Sequence, residues 1–105
     1  MSDYEDEGDV SIMSKEDVEI KEPSMYRCIL LNDDYTHVDF VIMVLKQIFN
    51  KDQNEATAIT MNVHKKGKGV CGLYTFEIAE TKVKQVEMLA DKYGFPLSCE
   101  MEEDV

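Results

Sequence analysis

The sequence predicts an α+β domain with two layers, in which three helices cover a three-stranded antiparallel sheet in the order β-α-α-β-α-β. Three short apolar runs of strand type begin near residues 26, 70 and 97. Three other segments repeat their apolar residues at helical spacing, two before the second strand and one after it. The chain has 105 residues, a length that fits one folded domain with one core.

Residues 1–24 form an acidic extension that we predict to be disordered, and residues 25–105 form the folded domain. The extension holds nine acidic residues and two lysines, a net charge of -7, whereas the remainder holds thirteen acidic and nine basic residues, a net charge of -4. The apolar residues of the extension are few and widely spread. Such a segment cannot bury enough surface to offset the entropy lost on ordering.

The first strand, residues 26–31, is followed by a polar loop and then by the first helix. Thr36 is suited to the N-cap of this helix, with Asp39 three residues later as a capping-box partner. The apolar residues that follow recur at the spacing of one helix face. They are Val38, Val41, Ile42, Leu45, Ile48 and Phe49.

The second helix is predicted to begin after Asp52, because Glu55 stands three residues later and completes a capping box. It ends near Gly67, a residue type favoured at the C-cap, and lysines precede it, as suits the negative end of a helix. Its inward face consists of Ala56, Ile59 and Val63.

The second half of the domain contains a strand over residues 70–76, a helix over residues 78–93 and a last strand over residues 97–101. Gly94 ends the helix and Pro96 prevents its continuation. The helix is predicted to turn one apolar face inward, formed by Val83, Val86, Leu89, Ala90 and Tyr93.

The overall charge argues against two classes of partner. A formal net charge of -11 disfavours binding to nucleic acids and to anionic membranes, which attract basic surfaces. No apolar run approaches the roughly 20 residues that span a bilayer. The acidic N-terminus also lacks the basic and apolar regions of a secretory signal.

Three cysteines, Cys28, Cys71 and Cys99, fall on the three predicted strands, one on each. An odd number without a C-x-x-C pair indicates a reducing compartment and buried thiols that pack as small apolar residues. A metal site formed by these cysteines and His64 is the alternative, but the four residues are far apart in sequence. We therefore expect neither a metal nor another cofactor.

Catalytic motifs are missing from the sequence, so we do not expect an enzyme. Candidate bases exist, notably His37 and His64, but no serine stands in a G-x-S-x-G motif. The glycine-containing stretch 65–69 lacks the spacing of a phosphate-binding loop.

The most concentrated polar cluster is Asn32-Asp33-Asp34, directly after the first strand. Taken alone, these residues are typical of a turn. His64, taken alone, is typical of the last turn of a helix, where it can interact with unpaired carbonyl groups. Neither feature alone predicts a function.

Three longer motifs occur together. They are Y-R-C-I-L-L-N-D-D-Y-T, then V-H-K-K-G-K-G-V-C-G-L-Y-T, then A-E-T-K-V. In this order and spacing they closely resemble the ClpS adaptor family, over roughly residues 24–101. Members of that family recognise N-degrons and bind proteins that begin with Leu, Phe, Tyr or Trp. They hand them to a ClpA-type AAA+ unfoldase, which feeds the ClpP peptidase.

The resemblance implies a role for particular residues in a monomeric adaptor of the bacterial cytoplasm. Asn32, Asp34 and His64 would bind the α-amino group of the substrate. Glu77 and Lys82 would belong to the surface that docks on the N-terminal domain of the unfoldase. The apolar pocket for the first side chain would be formed by Leu30, Thr36, Val38, Val41, Thr60, Val63 and Leu97.

The sequence departs from the family pattern in the pocket. Val38 and Thr60 stand where methionine is common, and His37 replaces a frequent proline. Because valine is shorter than methionine, we expect the pocket to admit β-branched Ile or Val as well. Asp33 is interpreted as a turn residue or as a residue that supports the ligands without touching the amine, and it stands outside the ligand set.

Two other classes of function remain as alternatives. A generic interaction module, similar in layout to the C-terminal domain of the ribosomal stalk protein, would bind partners without requiring a free amine. A metal or thiol enzyme would use His64 with the cysteines.

Overall fold

The computed structural model describes residues 23–105, which form three strands and three helices in the predicted order. The predicted disorder of the acidic extension falls on residues that lie, apart from 23 and 24, outside the described part of the chain. The elements are β1 (Met25–Leu31), α1 (Val38–Gln47), α2 (Gln53–Lys66), β2 (Lys68–Thr75), α3 (Phe76–Tyr93) and β3 (Ser98–Glu103). The α+β fold class is therefore confirmed.

The sheet has β1 at its centre, with β2 on one side and β3 on the other, both antiparallel to it. Inward residues of all three strands meet the helices in one core. Cys28, Cys71 and Cys99 are free thiols in this core, one from each strand, as the sequence predicted. The other buried core residues are Leu30, Phe40, Val41, Val44, Leu45, Ile48, Phe49, Ala56, Val63, Ala79, Val86, Ala90 and Leu97.

Of the two helix N-caps predicted from the sequence, that of α2 is confirmed and that of α1 is wrong. Asp52 caps α2, and the reciprocal hydrogen bonds of a capping box with Glu55 are both present. The predicted cap of α1 by Thr36 and Asp39 is wrong, because His37 occupies the N-cap position and makes no side-chain cap hydrogen bond. The Thr36 hydroxyl donates instead to the Asp33 carboxylate, at 2.7 Å, inside the preceding loop.

Strand pairing extends some elements beyond their predicted ends. β2 begins at Lys68 because Leu31 pairs with it, and β3 continues to Glu103, opposite Tyr26. The ion pair between Arg27 and Glu102, at 2.9 Å, supports the charged end of β3. Charged and glycine residues at these strand ends do not show the apolar pattern on which the prediction depended.

Two residues predicted to face inward are exposed. Val38 in α1 is 55% exposed, and Tyr93 in α3 is 53% exposed. Phe40 and Val44 are buried in α1 although they were absent from the predicted stripe. The Phe40 ring packs against the rings of Tyr93 and Phe95, so the buried face of α1 is wider than the predicted stripe.

Candidate functional site

The loop after β1 lies against the end of α2. The backbone N–H of Asn32 donates to the carbonyl of Gly67, at 2.9 Å. Gly67 is the C-cap of α2, with a φ of 88°, and its own N–H donates to the carbonyl of Val63. Because His64 is in the last turn of the same helix, this contact brings two of the three predicted amine ligands to one edge of the domain.

The start of β3 reaches the same edge. Leu31, the last residue of β1, pairs with Lys68 on one side and with Ser98 on the other. Leu97 directly precedes Ser98 and therefore lies beside the position where the chain leaves β1 at Asn32. The ends of three neighbouring segments thus converge, although they are far apart in sequence.

The predicted amine ligands are exposed, whereas most predicted pocket residues are buried. Asn32, Asp34 and His64 are all exposed to solvent. Thr36 is half-buried and Val38 is exposed. The buried members of the predicted pocket are Leu30, Val41, Thr60, Val63 and Leu97.

Thr60 is the one polar side chain among the buried pocket residues. Its hydroxyl donates to the carbonyl of Ala56 one turn earlier in α2, at 2.7 Å. This bond satisfies the hydroxyl donor within the helix, a usual arrangement for a buried threonine. Thr60 therefore adds no unsatisfied donor to the apolar side of the site.

Asp33 organises the loop from within. Its carboxylate accepts hydrogen bonds from the backbone N–H groups of Tyr35 and Thr36, at 2.8 and 2.7 Å, and from the Thr36 hydroxyl. Burial alone raises the pKa of the Asp33 carboxyl, but the hydrogen bonds from Thr36 and Tyr35 outweigh it and hold the pKa below its ordinary value. Asp33 is thus a turn residue, as interpreted from the sequence.

The carbonyl of Gly67 also helps to form this edge of the domain, and the sequence did not predict its role. The glycine was recognised only as a helix C-cap. Its left-handed backbone also directs a carbonyl toward Asn32, a contact that depends on tertiary packing. No signal in the sequence indicates that pairing.

Glu77, one of the two predicted docking residues, lies at the other end of the sheet. β2 runs from Lys68, opposite Leu31, to Thr75, opposite Met25, and α3 follows directly. A strand of this length extends roughly 23 Å. Glu77, in the first turn of α3, is therefore at the end of the sheet remote from Asn32.

Lys82, the second predicted docking residue, connects α3 to the end of α1. Its ammonium donates to the carbonyl of Ile48 at 2.6 Å. It also lies over the rings of Phe49 and Tyr74, at 5.8 and 5.2 Å from their centroids. Lys82 therefore has a structural role in the folded chain, whatever partner it meets.

A cavity of about 460 Å³ is lined by residues outside the predicted ligand set. Arg27 and Ile29 line it, and they point to the face of β1 opposite Cys28 and Leu30. Its other lining residues are Asn62, Lys66, Lys68, Gly69, Val70 and Glu102. None of these residues belongs to the predicted amine site, so this cavity does not define it.

Residues 23–105 show neither a metal-binding cluster nor a membrane-spanning helix. This part of the chain contains no group of three or more His, Cys, Asp or Glu side chains arranged to hold a metal ion. Within the same residues, no helix combines the length and the apolar character needed to cross a bilayer.

Comparison with known proteins gives one consistent family. The family model described as ATP-dependent Clp protease adaptor protein ClpS matches residues 21–100. The ATP-dependent Clp protease adapter protein ClpS of Paraburkholderia xenovorans (strain LB400) is 47% identical over 98 residues, covering 93% of this chain and 94% of the relative. The protein of the same name from Burkholderia mallei (strain SAVP1) is 49% identical over 98 residues, again covering 93% of this chain and 94% of the relative.

A solved structure agrees with the sequence matches. The structure of Agrobacterium tumefaciens ClpS2 bound to L-phenylalaninamide superposes with a TM-score of 0.77 and 37% sequence identity. The match covers 79% of this chain and 100% of that protein. Sequence and fold agree over nearly the whole described domain, and the chain belongs to the family of Clp protease adaptor proteins called ClpS.

Proposed function

We propose that this chain binds the free α-amino end and the bulky apolar first side chain of N-degron proteins and delivers them to a ClpA-type AAA+ unfoldase. ClpP then degrades the delivered protein, and the adaptor itself acts as a monomer in the bacterial cytoplasm. The observation that carries the proposal is the hydrogen bond from Asn32 to Gly67, which joins the Asn-Asp-Asp loop to the helix end that carries His64.

The chemistry of an α-ammonium matches the three exposed ligands. The group has one positive charge and three N–H donors. Asn32 offers a carbonyl oxygen, Asp34 a carboxylate and His64, when neutral, a ring nitrogen. Each charged hydrogen bond contributes about 1.5–3 kcal/mol net. An internal peptide bond has no ammonium, so it would leave these acceptors unpaired and be rejected.

The apolar residues below the ligands supply the second requirement. Leu30, Val41 and Val63 belong to the apolar core of the domain. Burying a large first side chain against such a surface contributes about 1.5–3 kcal/mol. The Agrobacterium relative supports this assignment, because L-phenylalaninamide combines a free α-amino group with an apolar aromatic side chain.

Delivery requires that substrate and unfoldase bind at the same time. Glu77 and Lys82 on α3 are the proposed docking residues for the N-terminal domain of the unfoldase. Because Glu77 lies at the end of the sheet remote from Asn32, a partner that docks there would leave the amine site open. This separation supports a handover role over simple sequestration of the substrate.

A reconstituted degradation assay tests the proposal. The reporter begins with Phe, and its matched control has the same sequence with a serine in place of that residue. With a ClpA-type unfoldase and ClpP present, the chain should accelerate degradation of the Phe reporter alone. A chain lacking residues 1–22 should still bind the reporter but deliver it poorly. Equal acceleration of both reporters would refute recognition of the first residue.

A further inference from the structure

The loop between β1 and α1, residues 32–37, carries two of the proposed ligands but is not a regular element. Its first residue is fixed by the backbone hydrogen bond from Asn32 to Gly67. Its last residue, His37, is the N-cap of α1, and the His37 ring packs on Phe95 with centroids 4.9 Å apart. Both ends are therefore anchored, and the conformation between them depends on contacts within the loop.

Asp33 makes those contacts. One carboxylate oxygen accepts the N–H groups of Tyr35 and Thr36, and the other accepts the Thr36 hydroxyl. Within residues 23–105, the Asn32 and Asp34 side chains make no comparable hydrogen bond. The central residue of the Asn-Asp-Asp cluster thus directs its carboxylate along the loop, toward the backbone that leads into α1.

The direction of these bonds distinguishes Asp33 from its two neighbours. A carboxylate has about four acceptor positions, and three are used by donors of the loop itself. About one position remains, so an ammonium could make more than one hydrogen bond to Asp33 only by competing with the two backbone N–H groups and the hydroxyl. Asp34 and Asn32 are exposed and meet no such competition from the described residues.

We infer that Asp33 is a positioning residue, whose carboxylate holds the loop in the conformation in which Asn32 and Asp34 meet the substrate amine. This inference rests on the proposed function and adds a role to it. Holding the ligands before binding lowers the entropy cost of ordering them in the complex. The negative charge of Asp33 is secondary, because its oxygens are used as acceptors for loop donors.

The test compares Asp33→Asn with Asp33→Ala. An asparagine oxygen can still accept both backbone N–H groups, and its amide nitrogen can donate to the Thr36 hydroxyl oxygen. Asp33→Asn therefore keeps the loop and removes the charge, whereas Asp33→Ala removes both. Asp34→Asn is the matched control at a proposed ligand, since it removes the same charge one residue later.

Affinity is measured with the full chain by calorimetric titration of a peptide that begins with Phe. Asp33→Asn should stay within about threefold of the wild type, while Asp33→Ala and Asp34→Asn should each lose about tenfold or more. A loss in Asp33→Asn as large as that in Asp34→Asn would overturn the inference, because Asp33 would then be a direct charge partner. Unchanged affinity in Asp33→Ala would overturn it as well.

Amide hydrogen exchange provides a readout that does not depend on the peptide. The N–H groups of Tyr35 and Thr36 should exchange faster in Asp33→Ala than in the wild type, and at nearly the wild-type rate in Asp33→Asn. Equal exchange in all three proteins would contradict the positioning role. A different result would refute the proposed function itself. That result is an equal affinity of the wild type for the Phe peptide and for its N-acetylated form.

Discussion

At the scale of single residues, the proposed amine site depends on acceptor groups that remain available at the surface. His64 lies in the last turn of α2 and is exposed, so its ring can approach a ligand without a change in the core. Asp34 and Asn32 are exposed on the neighbouring loop. The three groups differ in charge and geometry, so each should be needed for a different N–H of the ammonium.

Replacing His64 with alanine should lower the affinity for a peptide that begins with Phe by about tenfold, because one donor of the ammonium loses its partner. Lys65→Ala is the matched control, since Lys65 is the next exposed residue of the same helical turn. Fluorescence anisotropy with a labelled peptide measures both. An equal effect of the two substitutions would mean that the helix end acts only through its general charge.

Replacing Val38 with methionine should lower the affinity for N-terminal Ile relative to N-terminal Leu. Val38 is 55% exposed at the start of α1, so a longer side chain at this position does not disturb the core. We expect the methionine to narrow the entrance of the proposed pocket. A β-branched side chain is stiff at its first torsion and cannot turn away from the longer residue. The ratio of the two affinities is the measurement, and an unchanged ratio would rule out Val38 as the determinant.

The sequence offered candidate residues for the proposed site, but it did not predict their contacts. The motifs singled out Asn32, Asp34 and His64 together, although each alone is common in turns and helix ends. The role of Thr36 was mistaken, because a threonine before a helix can cap that helix or bond within the preceding loop. Only the folded position of Asp33 decides between these two partners.

At the scale of elements, the end of α2 brings the helix turn that carries His64 to the loop that begins at Asn32. Gly67 stops the helix in the left-handed region, and its carbonyl holds the loop that follows β1. Gly94 ends α3 in a similar conformation, with a φ of 77°. An added Cβ meets nothing within 4 Å at either glycine, so backbone strain alone distinguishes them from alanine.

Gly67→Ala and Gly94→Ala should therefore lower the free energy of unfolding by similar amounts, about 1–2 kcal/mol each. Only Gly67→Ala should also weaken binding of the Phe peptide, by roughly threefold or more, because the carbonyl that fixes Asn32 is displaced. Urea denaturation and calorimetric titration give the two quantities. Equal affinities of the two variants would show that the helix end and the loop are not coupled.

Element types followed from sequence patterns, but several boundaries did not. The capping box of Asp52 and Glu55 and the terminal glycines are local signals, and they marked the helix ends correctly. The ends of β2 and β3 depend on pairing with β1, a partner distant in sequence. In the sequence, Glu102 and Glu103 resemble a polar tail. In the fold they belong to β3, because they pair with Arg27 and Tyr26 of β1.

At the scale of the whole molecule, one core connects the strands to the helices that carry the site. Cys28 and Cys71 are completely buried, and Cys99 is 4% exposed. Burial is the main reason that the pKa of the Cys71 thiol is raised to about 12, from an ordinary value of 9.0. The folded chain therefore keeps a proton on Cys71 that the unfolded chain releases in alkaline solution.

Stability should consequently fall as the pH rises. The contribution of neutral Cys71 is fully present below pH 9 and is lost progressively between pH 9 and about 12, where only the unfolded chain is deprotonated. The free energy of unfolding should fall by about 1.4 kcal/mol per pH unit from this group. Urea denaturation at several pH values from 9 to 10.5 gives the change in unfolding free energy per pH unit. This change should be smaller in Cys71→Ala than in the wild type, and an identical change would contradict the raised pKa of Cys71.

The central claim is that the chain recognises a free α-amino group at the edge formed by Asn32, Asp34 and His64. The most direct measurement is a calorimetric titration with a peptide that begins with Phe and with the same peptide acetylated at its amino end. Acetylation removes the charge and two of the three N–H donors but leaves the side chain unchanged. The chain should bind the free peptide and should not bind the acetylated peptide, whereas equal affinities would contradict recognition of the α-amino group.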